Sequence, residues 1–265
     1  MMSQAFRSEL TRLGQRRVLA VWFGLTIVLA FMINAVMATV VGQAGTGNLP
    51  TPGVAFPTRE QLESASGVMA GLSAASSMFG LVTLSIWAWF TAQDYSSGLI
   101  RVLVAAEPRR WPLIAGKVAA LLLATAVATT IAAFATLLAA PLVGASGVST
   151  AAWATDAPRV VIEAWIHAYL AQVVWGVLGL AVAVLTRSAM VAVAIGAGYV
   201  LLFEPLIKMV GNAPSDWLLG TTLNTIASGG TPSIQFGTAL GLGAAYVILG
   251  LMLATWVLKR RDVTD

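Results

Sequence analysis

Four stretches of this chain, 18–41, 67–92, 118–143 and 234–258, run for 24 to 26 residues without one charged side chain. No other feature limits the fold as much. A helix rises about 1.5 Å per residue, so each stretch can cross a hydrocarbon core of about 30 Å. Buried helices of soluble proteins do not stay uncharged over such lengths. Two more stretches are nearly as apolar. The one at 160–186 carries Glu163 and His167 near its start, and the one at 188–210 is interrupted by Glu204 and Pro205. In lipid every backbone amide and carbonyl must be paired within the chain, and these stretches lack the alternation of barrel strands. They read as six transmembrane helices, at 18–41, 67–92, 117–143, 160–186, 188–210 and 234–258. Composition agrees, with 58% hydrophobic and 10% charged residues against about 25% charge in a soluble domain. The first stretch exceeds the apolar core of a signal peptide, about 7–15 residues. The "AVMA" at 35–38 therefore reads as part of a retained helix.

The few charges carry the topology. With the N-terminus inside, 12 of the 15 basic residues fall on inner segments, and only Arg59, Arg159 and Lys208 fall outside. This asymmetry places both termini in the cytoplasm. It also accounts for the net charge of +4 without a nucleic-acid partner. At the N-terminus, Phe6, Leu10 and Leu13 recur at helical spacing among Arg7, Arg12, Arg16 and Arg17. Residues 1–17 read either as an interfacial helix held on anionic headgroups or as a plain basic flank.

Between the second and third helices lies the most charged part of the chain. Asp94, Arg101, Glu107, Arg109, Arg110 and Lys117 are six of its 26 charged residues. Leu99, Ile100, Leu103 and Val104 line one face of a short helix, expected at 95–107. Asp94 precedes it, where a carboxylate favours a helix N-terminus. Pro108 ends it, Pro112 suits the first turn of the next helix, and Lys117 can snorkel to the inner interface. From the residues alone this helix either rests on lipid, with Arg109 and Arg110 as topology markers, or meets a partner.

The order Asp94, Gly98, Leu103, Pro108, Arg109/Arg110, Lys117 resembles the segment joining the second and third helices of ABC-2-type transporter permeases. Leu99 stands where those proteins usually have Thr, and Asp94 where Glu is commoner. The likeness covers the whole chain: basic N-terminal segment, six helices, and a long outer segment before the sixth. It implies an all-α integral membrane protein with a single transmembrane domain over 1–265. An N-terminal interfacial helix comes first, a cytoplasmic coupling helix lies between helices 2 and 3, and re-entrant outer helices precede helix 6. It implies a permease subunit in a bacterial inner membrane, paired with a second copy of itself or a homologous permease. A separate ABC ATPase subunit would bind ATP and Mg and dock on Asp94, Gly98, Leu99, Ile100, Arg101, Leu103, Val104, Arg109 and Arg110. The substrate would be hydrophobic or amphipathic, such as a drug, antibiotic, peptide or lipid-like molecule, and would move outward.

The segment 213–233, "APSDWLLGTTLNTIASGGTPS", is semi-apolar, Gly-rich and too short to span. It reads as re-entrant helices dipping into the outer leaflet or as an exposed loop. Ionisable residues inside membrane spans are candidates for function. Glu163 and His167, four apart, share a helix face and are placed to hydrogen-bond. Glu204, Asn34 and Trp217 are candidates for a translocation path, although Asn34 also suits helix packing. The chain has no Cys, one His, no HExxH and no GxxxxGK[ST] loop, which excludes thiol chemistry and gives no sign of catalysis, bound metal or ATP binding by this chain. An ion-coupled secondary transporter and a membrane anchor or assembly factor stand as alternatives.

Overall fold

In the computed structural model, residues 9, 11–12, 16–44, 56–98, 111–209 and 217–260 are described, and among them there is no strand. Five helices are long and apolar enough to cross a membrane, and a bent pair makes a sixth crossing if taken as one. The chain has the make-up of a multi-spanning helical membrane protein. α1 is Arg16–Ala44. A short α2, Arg59–Glu63, opens on Thr58, which with Gln61 forms a capping box that satisfies two orphan donors. A 3-10 turn at Ala65–Met69 leads into α3, Ala70–Ala74. α4 follows at Ser76–Ser96, then α5 at Trp111–Gly144 and α6 at Ala157–Thr186. α7 is Ala189–Gly198, and a π-helical turn at Tyr199–Phe203 joins it to α8, Glu204–Met209. α9, Leu219–Ala227, and α10, Phe236–Arg260, complete the order.

One expected span needs correction. The stretch at 67–92 is not one straight helix: its two parts meet at 44°. α3 leans toward α1, where Gly71 lets the Asn34 amide pack on its backbone. The Gln172 amide donates to the Ser76 carbonyl at the bend, at 3.4 Å. A side chain supplied from a neighbouring helix is one way that lipid-embedded chains tolerate a break. The fifth span, expected at 188–210 with Glu204 and Pro205 as an interruption, is not broken there. Its helical path continues over Ala189–Met209. Pro205 has no N–H to give to the preceding turn and would clash there. The π turn just before it, with Glu204 N–H bonded to the Tyr199 carbonyl, widens the helix and absorbs the mismatch.

α6 is the centre of the bundle, with 67% of its most apolar window buried against 22–50% in the other four single spans. In lipid there is no water to expel between helices, so association rests on close packing. α4 and α6 achieve it reciprocally. The Trp175 indole of α6 covers Gly80, the Trp87 indole of α4 covers Gly176, and Gly179 lies on the Leu84 carbonyl. Both indoles are fully buried. Trp87 Nε1 donates to Thr125 Oγ1 at 3.0 Å and Thr83 Oγ1 to Gln172 Oε1 at 2.6 Å, so α4 is tied to α5 and α6. Apolar side chains on the outer faces of α1, α7 and α10 remain exposed, among them Val28, Met190 and Met252, as lipid-facing helices require.

Candidate functional site

The ends of the second and third spans meet in a buried cluster of four charges. Asp94 lies in the last turn of α4, and Lys117 in the second turn of α5. Glu9 and Arg12, helical residues of the N-terminal segment, complete the set. Lys117 Nζ stands 2.8 Å from Asp94 Oδ2 and 3.3 Å from Glu9 Oε2. Arg12 is 2.8 Å from Glu9 Oε1 and donates to Asp94 Oδ1. The third donor of Lys117 reaches the Phe90 carbonyl, at 3.3 Å. The result is a closed, neutral ring. Asp94 is 3% exposed, and Glu9 and Lys117 are 8% exposed. A buried carboxylate near a helix C-terminus opposes the helix dipole; here two cations offset it. Burial works against the Arg12 charge, but the hydrogen bond and charge of Asp94, with Glu9 behind them, outweigh it and raise the guanidinium pKa.

This geometry revises the expected role of Asp94. It does not open a helix over 95–107; it belongs to the end of α4, which runs on through Ser96. Gly98 then adopts φ +68°, and its N–H bonds the Tyr95 carbonyl at 3.2 Å. Glycine reaches that left-handed region without penalty and commonly ends helices there, so Gly98 terminates α4. Leu99, Ile100, Arg101, Leu103, Val104, Arg109 and Arg110 lie outside the described residues, as do Phe6, Arg7, Leu10 and Leu13. Arg16 begins α1, and Arg17 is exposed on it. Arg187, in a left-handed conformation at the end of α6, lies over the Tyr95 ring at 5.9 Å. The connection after α6 therefore shares the same end of the bundle.

The opposite end holds the other candidates. Glu204 is 4% exposed. Its carboxylate accepts from Gly220 N–H at 2.8 Å and Thr221 Oγ1 at 2.9 Å, and pairs with Lys208 at 2.9 Å. Tyr199 Oη accepts from Leu219 N–H at 3.0 Å. Two side chains of the fifth span thus satisfy the first amides of α9, whose positive end favours a carboxylate. α9 buries Leu223 and Ile226 against the bundle, so 219–227 is a docked helix and not a loose loop. Trp217 is 63% exposed, and its carbonyl accepts from Tyr246 Oη. Asn34 is buried, donates to the Ala30 carbonyl at 2.8 Å and packs on Gly71 between α1 and α3.

Glu163 does not bond His167. It pairs with Arg159 at 2.7 Å, one turn toward the helix start. Both residues nonetheless face a cavity of about 550 Å³ between 56–74, α6 and the end of α9. Sequence reasoning passed over Glu9 and Gln172. Glu9 is the one acid among the basic residues of segment 1–17, which marks it as a partner for a buried cation. Among the described residues no group of acids and histidine has the arrangement of a metal site.

No curated protein matches the chain with significance. A family model described as "Protein of unknown function (DUF2705)" covers residues 27–264, from within α1 to the last residues of the chain. On a match of that extent, this helical membrane chain belongs to the DUF2705 family.

Proposed function

We propose that the chain is the permease subunit of an ATP-driven exporter of the ABC-2 type, one half of a dimeric translocation pathway. Its partners are a second copy or homologous permease and a separate ATPase subunit that binds ATP and Mg. The termini and the charged segment lie in the cytoplasm of a bacterial cell, and the substrate is hydrophobic or amphipathic. One observation carries the reading. The segment between α4 and α5 is held at both ends by the same ion ring, through Asp94 before it and Lys117 after it, and that ring also grips Glu9 and Arg12. A simple connection between two spans needs no such fastening. A joint that passes force from a moving partner into two spans does, because slack at its ends would dissipate the motion.

The test is Leu103→Asp, which charges the centre of the expected apolar contact face. An unpaired buried charge costs several kcal/mol, so the variant inserts normally but fails to co-purify with an ABC ATPase encoded beside it. Full assembly and transport by Leu103→Asp would remove the coupling role and favour the secondary-transporter alternative.

A further inference from the structure

We propose that the cavity beside Glu163 and His167 binds a cationic amphiphile that carries N–H donors, within one protomer. The cavity, about 550 Å³, lies at the end of the bundle opposite the ion ring. Drug-sized ligands occupy clefts of roughly 300–1,000 Å³ that combine apolar walls with a few placed polar groups. Three separate parts of the chain build this one: the approach to α4, the first turns of α6, and the turn after α9.

Its apolar surface comes from Met69, Ala74, Ala164 and Ala227. The polar surface is biased toward accepting hydrogen bonds. A serine hydroxyl has one hydrogen and two lone pairs. Ser73 donates to the Ala70 carbonyl and Ser228 to the Asn224 carbonyl. Ser64 donates to the Gln61 carbonyl, so in its contact with Ser66 the latter is the donor. Of the four lining hydroxyls, Ser66, Ser73 and Ser228 have therefore spent their hydrogens and offer lone pairs, while Thr231 turns to its own loop, donating to the Ile234 carbonyl at 3.5 Å and accepting from the Ile234 N–H at 3.1 Å. Glu163 adds a carboxylate, and Arg159, itself 76% exposed and not part of the lining, occupies Oε1 only. Glu163 is the one lining side chain with a fixed charge, and it is negative.

Two amides supply donors. Asn224 Oδ1 is taken by Ser77 and Gln61 Oε1 by Thr58 N–H, which leaves their NH₂ groups. The matching ligand has an apolar body, a positive charge with N–H groups for Glu163 and the serines, and an acceptor for an amide. The His167 ring is fixed against Phe236, 4.6 Å between centroids, and against the Gly229 backbone, so that wall is preformed. Binding as such does not depend on the transport reading. A role as a station on the exported substrate's route rests on it.

The probe is rhodamine 6G, an amphiphilic cation with two N–H donors and an ester carbonyl. Its binding is measured by fluorescence polarisation to the full chain in nanodiscs, with empty nanodiscs subtracted. Saturable binding is expected. Glu163→Gln weakens it at least fivefold, Ser73→Phe, which projects a ring into the cavity, abolishes it, and the anion 1-anilinonaphthalene-8-sulfonate does not compete. Both variants are matched to the parent in melting temperature. A smaller effect of Glu163→Gln, retained binding in Ser73→Phe, or competition by the anion overturns the proposal. Loss of ATPase association in Leu103→Asp reports on the other reading. If binding is as expected but no ATPase associates with the parent chain, the export role falls while the site stands. If the ATPase associates and rhodamine 6G does not bind saturably, only the site falls.

Discussion

Replacing Asp94 by Asn removes one charge from the ring while keeping its volume. Arg12 and Lys117 then face Glu9 alone, which leaves a net positive charge where Lys117 is 8% exposed. Breaking a buried pair from one side costs about 3–5 kcal/mol. A chain of this size loses roughly 2–4 °C of Tm per kcal/mol, so Asp94→Asn should lower the Tm by on the order of 10 °C. Adding Lys117→Met restores neutrality, because the Arg12–Glu9 pair at 2.8 Å survives. The double variant should therefore melt above Asp94→Asn, with a coupling of about 2–3 kcal/mol, toward the upper end for contacting residues. The assay is tryptophan-fluorescence melting in detergent, at low and at 0.5 M salt. A buried ring is little screened, so salt should leave the difference in place. A loss below about 2 °C in Asp94→Asn, or a double variant that falls by the sum of the single losses, refutes the argument that these four charges act as one unit.

Three further outcomes follow from other contacts. Gly179→Ala should destabilise by about 1–3 kcal/mol in the same melting assay, because the new Cβ meets the Leu84 carbonyl, which is backbone and cannot rotate away. Glu204→Gln should speed amide exchange at 219–222, since Gly220 N–H loses a charged acceptor and Lys208 loses its partner; unchanged exchange there would mean that α9 is held by packing alone. Glu63 has its pKa lowered by the hydrogen bond from Arg59, then by the Ser149 N–H. A depressed carboxylate stabilises above its unfolded value and loses that contribution as pH falls through its folded one. Protection of the Ser149 amide should accordingly hold from neutral pH to below the ordinary glutamate range and vanish only at more acid pH, as read by hydrogen exchange.

The amino-acid sequence alone determined the class and the approximate spans. Residues 18–41, 118–143 and 234–258 are uncharged over a membrane's width, and lipid leaves such a stretch no alternative to a self-satisfied helix. Pro112 and Pro158 fall in first helical turns, where a missing N–H is harmless, so those starts were nearly legible too. The bend before Ser76 and the π turn that carries the fifth span through Pro205 were not. Each depends on groups far away in sequence: Asn34 and Gln172 at the bend, and at Glu204 the amides of α9. Local propensity cannot report such partners. Likewise, Asp94 read as a helix opener because its neighbours 99–104 are amphipathic, whereas its place at the end of α4 follows from Gly98 and from two cations, one 82 residues before it in the chain and one 23 after. Which charges are neutralised, and which hydroxyls keep a free hydrogen, is decided by what folding brings within about 3 Å, and the sequence carries that distance only through the tertiary structure.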